Sequence, residues 1–145
     1  MKENREIAKH IYKNSEMASY TLKTLLKELE GKDNKIKNTV IELNNQYQDY
    51  LIKSKKLLHK EKQSCPKNTI LNKMGAKMGI NKEVASDNSD SSIATMLIKG
   101  ISTGIIDTSK ILKDNKDISD KKEVKLASDF LKFQEKYSEE LNKFL

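Results

Sequence analysis

Apolar residues recur along this chain at spacings of three and four, the period of a helix that buries one face. From about residue 4 to 30, Ile7, Ile11, Ala18, Leu22, Leu25 and Leu29 share one narrow stripe, with Asn14 in the middle of it. Gly31 stands where such a helix ends, and Asp33 or Asn34 offers an oxygen to cap the next. The second helix is predicted over 35–63 from Ile36, Val40, Leu43, Tyr47, Tyr50, Ser54, Leu57 and Leu58. Pro66 closes it, because it lacks an N–H and turns Cys65 away from the α region. Residues 69–78 predict a short helix with Ile70, Leu71, Met74 and Met78 on one side. The stretch that follows, NKEVASDNSDSS, reads as polar turns and caps with little to bury. A third long helix over 91–114 has Ile93, Leu97, Gly100, Gly104, Thr108 and Ile111 as its inner line. The fourth, over 120–144, opens with a capping box, in which Asp120 accepts from the amide of Glu123 and Glu123 reaches back.

The connections set the expected topology. Short links make the first two long helices one antiparallel hairpin and the last two another. About 28 residues separate the hairpins, enough to run the ~40 Å length of a bundle at 1.5 Å per helical residue. The fold class expected is therefore all-α: a ferritin-like four-helix bundle, one domain over 1–145, with a long crossover that carries a short helix. The stretches EMASYTLKTLL, MLIKGISTGIID and FQEKYSEELNKFL resemble a family of small bacterial proteins, typical of clostridia and their relatives, with ferritin-like bundles. The resemblance implies a fold and a bacterial origin, and it brings no reaction with it.

Charge narrows the function classes. The net charge is +7, and residues 32–77 hold the whole surplus, with eleven lysines against four acids. Arg5 is the only arginine, so the bidentate fork that reads guanine is missing and sequence-specific nucleic-acid recognition is not expected. No apolar run is long enough for a transmembrane segment, and MKENREIAKH has no apolar leader core, which makes cytoplasmic the expected location.

A ferritin-like topology raises the question of a dinuclear metal site, which needs Glu-x-x-His on two helices. The residues three before His10 and His59 are Ile7 and Lys56, so neither histidine fits, and no metal or other cofactor is expected. Glu6, His10 and His59 form a weaker mononuclear alternative, against which two solvated histidines are preferred. Cys65 reads as a partly exposed structural cysteine, and no nucleophile–base arrangement is visible, so catalysis is not expected. Asn14, Tyr47, Tyr50 and Gln134 predict a mid-bundle polar layer that fixes helix register or lines a small cavity. Gly100 and Gly104 predict close helix packing, since core-facing helical glycine costs about 1 kcal/mol without a compensating approach. Lys53, Lys55, Lys56, Lys60, Lys73 and Lys77 are candidate contacts to an anionic surface. The function expected is a non-catalytic structural or interaction module that self-associates or binds another protein. The alternatives are a metal-dependent or redox enzyme with unplaced ligands, and a peripheral binder of anionic surfaces.

Overall fold

A computed structural model describes residues 5–60 and 62–145. Five helices occur in chain order: α1 Glu6–Glu28, α2 Lys37–Lys60, α3 Ile70–Ser86, α4 Asp90–Asn115 and α5 Lys121–Asn142. The expected start of the first helix, Asn4, lies outside the described residues, as does Glu61 beyond the end of α2. Each start from α3 onward has a side-chain cap. Thr69 Oγ1 accepts from the Asn72 amide at 3.0 Å, Ser89 Oγ from Ser92 at 3.1 Å, and Asp120 Oδ1 from Glu123 at 2.8 Å. Gly31 follows α1 at φ +75°, a conformation that glycine adopts at no steric cost.

The all-helical class is as expected, and side-chain contacts fix the helix directions. Arg5 at the start of α1 meets Asp120 and Glu123 at the start of α5, so both helices begin at one end. Asn34, Lys35 and Ile36 meet Asp90, so α2 and α4 begin at the other end. α1 packs most extensively on α2 and α4 on α5, while α3 lies against α1.

These end contacts replace two local caps expected from sequence. Asp33 and Asn34 do not cap α2; the Asp90 carboxylate accepts from the Lys35 amide at 3.1 Å and the Ile36 amide at 3.5 Å. The Glu123 side chain does not turn back on its own helix. Its Oε1 accepts from the Ala8 amide at 2.9 Å, and its Oε2 takes the Arg5 guanidinium at 3.2 Å. A partner on a neighbouring helix reaches the free amides in the first turn of α1 and just ahead of α2 more directly than the local side chain does.

One apolar cluster joins all five helices, from Ile7, Ile11 and Leu25 on α1 to Phe130 and Leu141 on α5. At its centre Tyr50 stacks on Phe133 at 5.2 Å, and Tyr47 meets Phe133 edge-on at 4.9 Å. α3 corrects the sequence reading. It continues to Ser86 rather than stopping at 78, because Ile80 and Val84, one turn apart, are both buried.

Candidate functional site

Of the expected polar layer, Gln134 alone joins a directed chain, whose other members are His10 and Thr108. His10 Nε2 lies 2.9 Å from Thr108 Oγ1, and Thr108 Oγ1 donates to Gln134 Oε1 at 3.1 Å. A hydroxyl has one hydrogen, so with Thr108 donating to Gln134 the ring nitrogen of His10 must donate to Thr108. Burial holds His10 below its ordinary pKa while the Asp107 carboxylate pulls it up, and the net shift keeps the ring neutral at pH 7. Gln134 is fully buried, and its Nε2 has no hydrogen-bond partner among the described residues. Burial pushes the Tyr47 hydroxyl up to about 12. The neighbouring Gln134 amide pulls it the other way, although the two groups do not reach hydrogen-bond geometry.

Two members of that layer sit elsewhere. Tyr50 belongs to the aromatic cluster, because its ring packs between Phe130 and Phe133. Asn14 is half-buried and lies at the surface of a groove. His10 is half-buried too, so the expectation of two solvated histidines holds only for His59, which is exposed and lies 3.9 Å from Cys65 Sγ. The two histidines have different partners. Among the described residues no three His, Cys, Asp or Glu side chains gather as a metal site would require.

The glycines also separate. Gly104 is buried, and a Cβ there would stand 2.5 Å from Gln134 Nε2 and 3.4 Å from Asn14 Nδ2. Gly100 contradicts the expectation of close packing: it is exposed, with nothing described within 4 Å of a Cβ. The buried line of α4 runs through Ile93, Ala94, Leu97, Ile101, Gly104 and Thr108, which leaves Gly100 about 70° off its centre at 100° per residue.

Gly100 instead borders a groove of about 410 Å³ between α1, α3 and α4, within the range of small-molecule sites. Along α1 the lining passes from His10 and Asn14 to Ala18 and Leu22. Along the antiparallel α4 it passes from Asp107 back to Leu97 and Met96. Leu43 and Tyr47 of α2, Ile80 of α3 and Asn68 ahead of α3 also line it, and Lys13 stands beside Asn14.

The other face of α3 looks outward. Leu71 is 79% exposed, Met74 54% and Met78 69%, so one face of this helix packs and the opposite face is apolar in solvent. Lys77 and Lys82 are exposed one turn beyond Met74 and Met78. Of the other lysines proposed for an anionic surface, Lys55, Lys56 and Lys60 are exposed on α2. Lys53 pairs with Asp49 at 2.9 Å. Lys73 is half-buried against α1, 3.5 Å from Glu16 and over the Tyr20 ring, and so belongs to the packing of α3.

The sequence reading placed Thr108 on the inner line of its helix but gave it no partner. Its signal was a hydroxyl on a core stripe, which needs hydrogen-bond partners once buried. Ile80 and Val84 were missed because they lie across α3 from Leu71, Met74 and Met78, and a helix apolar on two sides has no single stripe. Comparison with protein-family models, with curated proteins and with solved structures finds no match to this chain.

Proposed function

We propose that this chain is a non-catalytic interaction module, a ferritin-like bundle of two hairpins, that docks on an anionic lipid surface through the outer face of α3. The carrying observation is the exposed row Leu71, Met74 and Met78, at the helical spacing of a face laid on a surface. Residues 53–82 hold nine lysines against Glu61, a surplus larger than the net charge of the whole chain. Lys77 and Lys82 are exposed on α3 beside this row, and a second copy would bring the same two cations against them, which argues against self-association there. Lysine is a compact cation on a flexible stem, suited to a diffuse field of headgroups and without the fork that arginine offers a single carboxylate. Each lysine near such a surface contributes about 1 kcal/mol. The cytoplasmic leaflet carries such a field, in keeping with a cytoplasmic location. No helix among the described residues is long and apolar enough to cross a membrane, so the contact proposed is peripheral.

Sedimentation with vesicles tests this reading. The protein is expected to pellet with phosphatidylglycerol-containing vesicles at low salt, to be released at 0.5 M salt, and to ignore pure phosphatidylcholine. Replacing Leu71, Met74 and Met78 by Ser should abolish pelleting without loss of helix. Equal binding to neutral vesicles, or none to acidic ones, overturns the proposal. So does a dimer, seen by light scattering, that the triple variant dissolves, because that would make a second copy the occupant.

A further inference from the structure

We infer that the groove between α1, α3 and α4 is a binding site for a zwitterion with an apolar tail: a free α-amino acid whose side chain is large and apolar. The inference stands on different residues from the docking face of α3.

The two ends of the groove differ in kind. His10 to Leu22 on α1 is about 18 Å of helix, and α4 runs antiparallel beside it. His10, Lys13, Asn14 and Asp107 therefore share one end, and Leu22, Ile80 and Leu97 share the other. A volume of about 410 Å³ equals about fourteen waters at ~30 Å³ each, so a molecule of roughly ten to fifteen non-hydrogen atoms fits. Phenylalanine and tryptophan are of that size, and a phospholipid exceeds it. Gly100 borders the same space and has nothing described within 4 Å of a Cβ. A glycine inside a helix costs about 1 kcal/mol relative to alanine, and no contact within the fold offsets that cost here. An occupant lying against its bare backbone would.

The head group follows from the charges at the polar end, one cation and one anion. Glu16, one turn beyond Lys13, is held by Lys73 at 3.5 Å and by the Asn68 side-chain amide at 3.1 Å. Lys13 is left with no acid partner among the described residues, and Asp107 has no cation within ion-pair distance among them. Asp107 lies close enough to act on the His10 ring, and Lys13 is one turn along α1 from that ring, so both charges stand beside His10. Because Nε2 of the neutral ring donates to Thr108, Nδ1 keeps its lone pair and accepts. An ammonium thus meets Asp107 and His10 Nδ1, and a carboxylate meets Lys13 and the Asn14 amide. A fatty acid would set its carboxylate near Asp107, and an alkylamine would set its ammonium near Lys13. An α-amino acid carries both charges on one carbon and its apolar side chain on the same carbon, which suits a groove charged at one end and apolar at the other.

The methionines provide a readout. Met17 and Met96 line the groove, whereas Met74 and Met78 are exposed on the far face of α3. With methyl-labelled protein, L-phenylalanine is expected to shift the Met17 and Met96 methyl signals saturably and to leave Met74 and Met78 in place. 3-Phenylpropanoate and 2-phenylethylamine each keep one of the two charges and should bind roughly tenfold more weakly, the worth of one charge-assisted hydrogen bond. L-Serine, which has both charges and no apolar side chain, should not bind. Lys13 and Asp107 are both exposed, so their variants are expected to fold. Lys13→Gln should weaken phenylalanine binding and leave 2-phenylethylamine no weaker, and Asp107→Asn should weaken it and leave 3-phenylpropanoate no weaker. Gly100→Leu, which fills open space, should keep the helix content and remove binding. No shift at Met17 and Met96 with leucine, phenylalanine or tryptophan overturns the site. Equal binding of either single-charge probe, or phenylalanine binding that both charge variants leave intact, overturns the head group. Shifts confined to Met74 and Met78 would mean adsorption on α3 and overturn the groove as the place of binding.

Discussion

A carboxylate with no exposed surface needs partners to stay ionised, and Glu123 finds them on α1. Its oxygens hold the Ala8 amide and the Arg5 guanidinium, while the Arg5 side chain is itself 4% exposed and shared with Asp120 at 2.6 Å. Burial still wins at Glu123 and raises its pKa, against the pull of the Ala8 amide and Arg5. At Asp120 burial also pushes upward, but the Glu123 amide and Arg5 outweigh it and hold the carboxyl below its ordinary value. The two groups thus have opposite linkage. The stability that Asp120 contributes is present above its unfolded pKa and is lost as pH falls through its folded one. The contribution of Glu123 is complete below its unfolded value and is lost as pH rises through its folded one. Glu123→Gln, which mimics the protonated acid, should therefore gain on the parent in melting temperature as pH rises from about 4.5. Glu123→Ala removes the acceptor as well and should cost about 3 kcal/mol in urea unfolding, in the range for breaking a buried pair. The α4 glycines give a second test at this scale. Gly100→Ala meets open space and should stabilise the protein by about 0.5–1 kcal/mol through helix propensity. The same change at Gly104 must displace the Gln134 amide, so calorimetry should show no such gain there.

Among the elements, α3 is held by the least. Ile80 and Val84 are its buried apolar side chains, supported at the near end by Lys73 on Glu16. Gly75 and Gly79 meet nothing described within 4 Å, so they lower helix propensity without packing in return. Amide exchange is therefore expected to be faster over 70–86 than at the centres of α1, α2, α4 and α5. Ile80→Ala, a buried truncation of about 2–5 kcal/mol in a well-packed core, should widen that gap and leave the other four helices protected. Uniform exchange across all five helices would mean that α3 opens only with the whole fold. The long helices were legible in sequence because each has one stripe and a stop or cap at its ends, as with Ile7, Ile11 and Leu22 ahead of Gly31. α3 was legible only to Met78, where the outward row ends, since its inward pair lies on the opposite face. The groove was not legible at all. It forms between α1, α3 and α4, and periodicity within one helix does not encode the spacing of its neighbours.

For the whole molecule the decisive contacts lie at its two ends. Asp90 at the start of α4 holds the amides of Lys35 and Ile36, just ahead of α2, and Glu123 near the start of α5 holds an amide of α1. Each helix of the second hairpin thus caps one helix of the first, and the two hairpins are fastened at both ends. The sequence reading gave the second helix a local cap in Asp33 or Asn34 and turned Glu123 back on its own helix, because the real partners are 55 and 115 positions apart. α5 spans 22 residues, about 33 Å, so the fastenings are too far apart to share a partner or a relaxation. Asp90→Ala should cost about 1–2 kcal/mol, the worth of a lost cap. Combined with Glu123→Ala, its effect should add to within about 0.5 kcal/mol, as holds for sites more than ~10 Å apart. Urea unfolding of the parent, the two single variants and the double variant measures this directly. If the double variant loses much less than the sum, the first break already frees the second end, and the two hairpins then separate as one step rather than being held independently at each end.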